Sequence, residues 1–293
     1  MKDYSILFAM SSEENINENT TESEVNNSIA VTEPSLDPLI LEEMTKVGVL
    51  YGRKKSKTHP RMKQFIFTVR NGVEIFDLPR VFAAIEKAQE FLRGIAKKGG
   101  LIMFVSTLPS SKELIASLGK QFGLPYVTER WLGGTLTNFK TLSERTRYYM
   151  NLKADKETGK LAKYTKKEQT QFGKEIEKMS VVFSGLETLT KIPDALIVVD
   201  AIEHETAVRE AKRLKIPVVA LINSDTNPEI IPYPIPGNSM AKSSVAWVLN
   251  KLEESISAGI KEKGMTAEAA KEPASAIRQP AGGGSGEANK PVK

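Results

Sequence analysis

Short apolar runs alternate with helical patterns through the middle of this 293-residue chain. Residues 65–69 and 73–78 are rich in Phe, Ile and Val and flank Asn71-Gly72, the pair favoured in two-residue turns, so they predict a hairpin. Val81, Ile85, Ala88, Leu92 and Ile95 follow helical spacing until Gly99-Gly100 stops them. Residues 101–105, 195–199 and 217–222 are continuous aliphatic runs, the mark of strands buried on both faces. Helices over 110–122, 203–214 and 239–256 and a short strand at 126–127 complete the series. Strand–helix alternation of this kind predicts a doubly wound α/β fold, a parallel sheet with helices on both faces.

The interval 135–185 breaks the rhythm. Leu136, Phe139, Leu142, Tyr149 and Leu152 form one apolar stripe, and Phe172, Ile176, Met179 and Phe183 form another. A polar turn at 155–160 separates them, which predicts an inserted antiparallel α-helical hairpin projecting from the sheet. Residues 1–37 are rich in Glu, Asn, Ser and Thr without any period and read as a disordered acidic arm. From Ala258 the chain turns to Ala, Gly, Lys, Glu and Pro and reads as a flexible tail over 258–293. The expected organisation is therefore a sheet domain from 38–134 and 186–257, interrupted by the hairpin.

Charge sharpens this picture. The net charge of +5 hides an asymmetry: residues 1–43 hold one cation against ten acids, and the remainder holds 40 cations against 26 acids. A body with a balance of +14 favours an anionic partner, nucleic acid above all. Its densest point is 53–63, where Arg53, Lys54, Lys55, Lys57, Arg61 and Lys63 surround His59 with no acid among them. The adjoining strand moors these cations, which suits a phosphate backbone; six duplex phosphate contacts give a log K against log salt slope of roughly −5. A solvated loop is the competing reading. The helical hairpin carries eleven cations against six acids between Lys140 and Lys178, with the same two readings open.

Candidate chemistry is sparse. Absence of cysteine excludes disulfides and thiolate nucleophiles or ligands, and fits a reducing compartment. No apolar run approaches the roughly 20 residues that span a bilayer, and the acidic arm is the reverse of a transit peptide, so a cytosolic chain is expected. Neither a Walker phosphate loop nor a strand-linked G-x-G-x-x-G occurs. The two histidines, His59 and His204, supply no triad. Asp200 ends a strand on the sheet's C-terminal edge and Asp225 follows the next strand, positions that hold ligands in such folds. The alternative function is therefore a nucleotide-dependent enzyme using Asp200 and Asp225, or a divalent ion between them, although carboxylates there serve more often as caps. Arg130 beside Trp131 offers a phosphate clamp and a stacking face, with Gly133-Gly134 allowing close approach. Core packing is the plainer reading of that Trp.

Arg130-Trp131-Leu132-Gly133-Gly134, followed by Leu136-Thr137-Asn138, resembles the central signature of the family of the second protein of the small ribosomal subunit, in its bacterial or organellar form. Pro193-Asp194-Ala195-Leu196-Ile197-Val198-Val199-Asp200, Glu210-Ala211, Ile216-Pro217, Pro236-Gly237-Asn238 and Asn71 fit the same family, and the likeness runs unbroken from 40 to 257. The resemblance implies a flavodoxin-like, non-enzymatic protein that binds ribosomal RNA and docks neighbouring ribosomal proteins, the large first protein of the subunit among them. It implies no membrane, no small-molecule substrate and no cofactor. The family usually has histidine where Leu50 and Arg53 stand, so no metal role is carried over. The expected RNA contacts are Arg53, Lys54, Lys55, Lys57, His59, Arg61, Lys63, Arg70, Arg130, Trp131, Asn138, Lys140 and Arg145.

Overall fold

The computed structural model describes residues 37–269. Helix α1 (Pro38–Val47) starts at Asp37, whose side chain caps the Leu39 amide, and stops at Gly48, where φ is 76°. A three-stranded antiparallel sheet follows, built from β1 (Tyr51–Lys54), β2 (Ile66–Arg70) and β3 (Val73–Phe76) in the order β1-β3-β2. Asn71 and Gly72 both take positive φ, 52° and 74°, the geometry of a type I′ turn, which sets Arg70 opposite Val73.

Helix α2 (Leu78–Lys97) buries Leu78, Val81, Ile85, Ala88, Leu92 and Ala96 along one stripe, and Gly99 ends the segment with φ of 71°. Next come β4 (Ile102–Val105), α3 (Lys112–Phe122) and β5 (Tyr126–Val127). The inserted segment contributes α4 (Phe139–Glu157) and α5 (Lys166–Phe183). The chain then returns through β6 (Ala195–Val199), α6 (Glu205–Arg213), β7 (Val218–Ile222) and β8 (Tyr233–Pro236) to the last helix, α7 (Lys242–Ala269).

The five later strands are parallel and lie in the order β5-β4-β6-β7-β8. That is the flavodoxin-like doubly wound order, with its switch point between β4 and β6. Every residue of β4, β6 and β7 is buried, because helices cover both faces. Both outer strands are unusual: β5 has two residues, and β8 sets Pro234 and Pro236 opposite Ala220 and Ile222 of β7.

Helices α4 and α5 pack through a small core of their own, Tyr149, Leu152 and Ile176, flanked by Leu161, Phe172, Met179 and Phe183. A reciprocal capping box between Thr165 and Glu168 opens α5. Where the insertion rejoins the sheet, a Cβ on Gly185 would collide with the Tyr126 carbonyl oxygen, so glycine alone fits.

One boundary needs correction. Helix α7 continues through Ala269, past Ala258, where composition suggested that a flexible tail begins. Gly259 lies against the Arg93 carbonyl and Ala96 of α2, and Glu262 pairs with Arg93 and Lys97. Docking on α2 therefore extends a helix that Ala, Lys and Glu already favour. The remainder of the expected tail lies outside the described residues, as does the arm expected over 1–37 apart from Asp37, which caps α1.

Candidate nucleic-acid interface

The basic stretch 53–63 runs along β1 and two short 3-10 turns, Lys55–Lys57 and Pro60–Phe65. The fully buried Met62 anchors it to the core. Two bonds tie it to the loop after β7: the Arg53 amide donates to Ser224 Oγ at 2.9 Å, and the His59 amide donates to the Ser224 carbonyl at 2.9 Å. The segment is thus held as an ordered rim on the C-terminal edge of the parallel sheet.

Its side chains divide into two groups. Lys54, Lys55, Lys57, Lys63 and Arg70 are exposed and have no acidic partner among the described residues. The other three are engaged. His59 Nδ1 accepts from the Arg61 amide at 3.3 Å, and Arg61 pairs with Glu229. Arg53 turns inward: its Nε lies 3.3 Å from Asp225 Oδ2 and its Nη2 lies 4.0 Å from Asp200 Oδ2, leaving the side chain 32 % exposed. Its cation therefore answers two carboxylates of its own chain before any phosphate.

That arrangement also accounts for the paired aspartates. Asp200 is buried in the left-handed region with φ of 67°. Its Oδ1 accepts from the Ile202 and Glu203 amides at 3.1 and 3.3 Å, and its Oδ2 accepts from Ser239 Oγ at 2.9 Å. The carboxylate is a loop cap that joins β6 to the start of α7 and faces Arg53. No three His, Cys, Asp or Glu side chains converge as metal ligands among the described residues.

The switch-point crevice between β4 and β6 is bridged by His204. The Thr107 amide donates to His204 Nε2 at 2.9 Å, so Nδ1 carries the proton and donates to the Asp200 carbonyl at 2.9 Å. A buried imidazole thus occupies the position where doubly wound folds seat their ligands.

The Arg130 loop is organised by a residue that the sequence presented only as part of a motif, Glu210. Glu210 Oε1 accepts from Trp131 Nε1 at 3.0 Å and from the Gly134 amide at 2.8 Å. Its Oε2 accepts from the Leu136 amide at 3.0 Å and from the Thr137 amide and hydroxyl, both at 3.1 Å. Burial pushes this carboxyl up, but the bonds from Trp131, Gly134, Thr137 and Leu136 outweigh it and hold the group below the usual carboxylate range. Trp131 is half-buried, packs against the core and donates its indole N–H to this carboxylate. Arg130, Asn138, Lys140 and Arg145 are exposed around it. The signal was present in α6: Glu210 interrupts the inward stripe of Ala207, Val208 and Ala211, a place where an acid needs buried donors.

One cationic group therefore follows β5, running from its loop into the start of α4, and the other, on β1 and the 3-10 turns, is braced by the loop after β7. Three strand spacings separate those strands, about 14 Å.

Residues 44–259 match the family model described as ribosomal protein S2. The small ribosomal subunit protein uS2 of Dictyoglomus thermophilum is 38% identical over 221 residues, covering 75% of this chain and 90% of the relative. The corresponding protein of Thermus thermophilus is 35% identical, over 74% of this chain and 85% of its own length. The uS2c protein of Cyanophora paradoxa is 36% identical over 78% of this chain and 98% of its own length. With its signature loop folded around Glu210 and its strands in the flavodoxin-like order, the chain belongs to the ribosomal protein S2 family.

Proposed function

We propose that this chain is a structural constituent of the small ribosomal subunit, holding ribosomal RNA against the C-terminal edge of its sheet and docking neighbouring ribosomal proteins. One observation carries the RNA reading: Lys54, Lys55, Lys57 and Lys63 project from a segment pinned by Met62 and Ser224, with Arg70 beyond them at the end of β2, and none has an acidic partner among the described residues. Cations immobilised this way bind phosphates without first breaking internal pairs, and they read backbone and shape rather than sequence. Arg130, Asn138, Lys140 and Arg145 extend the surface on the far side of the crevice. Arg53, Arg61 and His59 hold the segment in place. The enzyme alternative finds no support at Asp200 and Asp225, which face Arg53.

Family membership supports the assignment to the ribosome, since the matching relatives are named small-subunit proteins. The test is the full-length K54Q/K55Q/K57Q/K63Q variant titrated against small-subunit ribosomal RNA at several salt concentrations. Loss of four phosphate contacts flattens the log K against log salt slope by about 3 to 4. An unchanged slope, with the variant retained in salt-washed subunits as well as the parent, overturns the assignment.

A further inference from the structure

The outer edge of the parallel sheet carries a second surface, where β7 and β8 begin rather than where they end. Two hollows open there, and the exposed Pro232 lines both, so they run together as one furrow. The first, about 370 Å³, lies against α2, which presents Arg80, Ala83, Ala84 and Lys87 on one face. The two alanines leave the space, and Phe65 and Tyr233 close it. Tyr233 is itself fixed by stacking on Phe91, with ring centroids 4.2 Å apart. The second hollow, about 350 Å³, lies between α6 and the 3-10 turn Pro228–Ile230. Ile216, Pro217 and the exposed Ile230 line it, beside Lys212 and Lys215.

We propose that this furrow docks an extended acidic segment of a neighbouring protein, with apolar side chains in the two hollows and carboxylates against Lys87, Lys212 and Lys215. Charge identifies the occupant. Those three lysines are exposed and have no acidic partner among the described residues. Arg80 is already held by Asp77 and the Gln64 carbonyl. Glu229, the one acid lining the furrow among the described residues, is taken by Arg61. Unanswered cations therefore stand beside an apolar floor. A phosphate backbone would use the cations and leave the floor bare. A segment that alternates acids with apolar residues uses both. Pro232 and Pro234 have no N–H to donate, so the partner cannot pair along β8 as a regular strand, and its side chains must carry the binding. The proposal rests on the docking half of the function given above, and adds where such a partner sits and what chemistry it brings.

The test places the photoreactive residue benzoylphenylalanine in the full-length chain at Gln64 or at Ile230, one beside each hollow, and at the exposed Lys120 on α3 as a control. Irradiated in cells, both furrow positions should form adducts with the same protein. Sequencing the linked peptides should return one segment rich in Asp and Glu with apolar residues between them. Adducts to RNA, to a second copy of this chain or to a segment without acids overturn the proposal, as does a yield no higher than at Lys120. A synthetic copy of the linked segment should then bind the isolated full-length chain. The triple variant Lys87→Glu, Lys212→Glu, Lys215→Glu should weaken that binding about tenfold or more. Ala84→Trp fills the first hollow without altering charge and should also weaken it; full affinity in both variants overturns the proposal. Sedimentation of the same cells separates the two readings. Adducts to an acidic segment with the chain absent from small subunits would sink the ribosomal assignment and leave the furrow standing. The chain present in subunits without such adducts would sink the furrow alone.

Discussion

Replacing Glu210 with Gln keeps the shape of the side chain while changing what it can accept. The carboxylate receives five hydrogen bonds, two at Oε1 and three at Oε2. A glutamine carbonyl in the Oε1 position retains Trp131 and Gly134. Its amide nitrogen then faces the Leu136 and Thr137 amides, donor against donor, while the Thr137 hydroxyl can rotate to accept. The buried Leu136 N–H and the part-buried Thr137 N–H lose their acceptor, at about 1–3 kcal/mol for a buried group and less for a part-buried one, so Glu210→Gln should lower stability by about 1–5 kcal/mol. Urea unfolding followed by tryptophan fluorescence measures this directly, because Trp131 reports on the same loop. The pH dependence supplies a second check. A carboxyl held below its ordinary range stabilises the fold above its unfolded pKa, and that contribution is lost as pH falls through the lower folded value. The gap between parent and Glu210→Gln should therefore be full at neutral pH and shrink in acid. Equal stability at neutral pH, or a gap indifferent to acid, would refute the claim that this carboxylate organises the signature loop.

Other expectations are as concrete. Arg53→Met leaves Asp200 and Asp225 without their shared cation and should cost about 1–3 kcal/mol, of which adding Asp225→Asn restores part in a double-mutant cycle. Gly185→Ala forces a Cβ into the Tyr126 carbonyl and should lower the thermal midpoint by several degrees, measured by calorimetry. Leu152→Ala empties part of the small core between α4 and α5 at about 2–5 kcal/mol. Hydrogen exchange should then accelerate in those two helices and stay unchanged in β4, β6 and β7.

The sheet was legible because its strands are buried on both faces and so write unbroken aliphatic runs, 101–105, 195–199 and 217–222, into the sequence. Asn71-Gly72 was legible because few residue pairs tolerate two positive φ angles in succession. Arg53 was not. Within a run of six cations nothing local separates the one that turns inward, and its partners Asp200 and Asp225 arrive from the ends of distant strands. His204 was similar: its bond to the Thr107 amide exists only once β4 and β6 are neighbours. Helix α7 outran its expected end because the composition from Ala258 reads as a tail in isolation, whereas α2 packs so closely at Gly259 that only glycine fits. In each case the missing information was a tertiary partner, not a local preference.

The two outer strands of the parallel sheet have a bearing on life before assembly. Before assembly, an open sheet invites another chain to add a strand along its margin. Here one margin is a two-residue stub, and the other substitutes ring nitrogens for hydrogen-bond donors at Pro234 and Pro236. Neither offers a template long enough to copy, so the unassembled polypeptide can accumulate without polymerising through its own core.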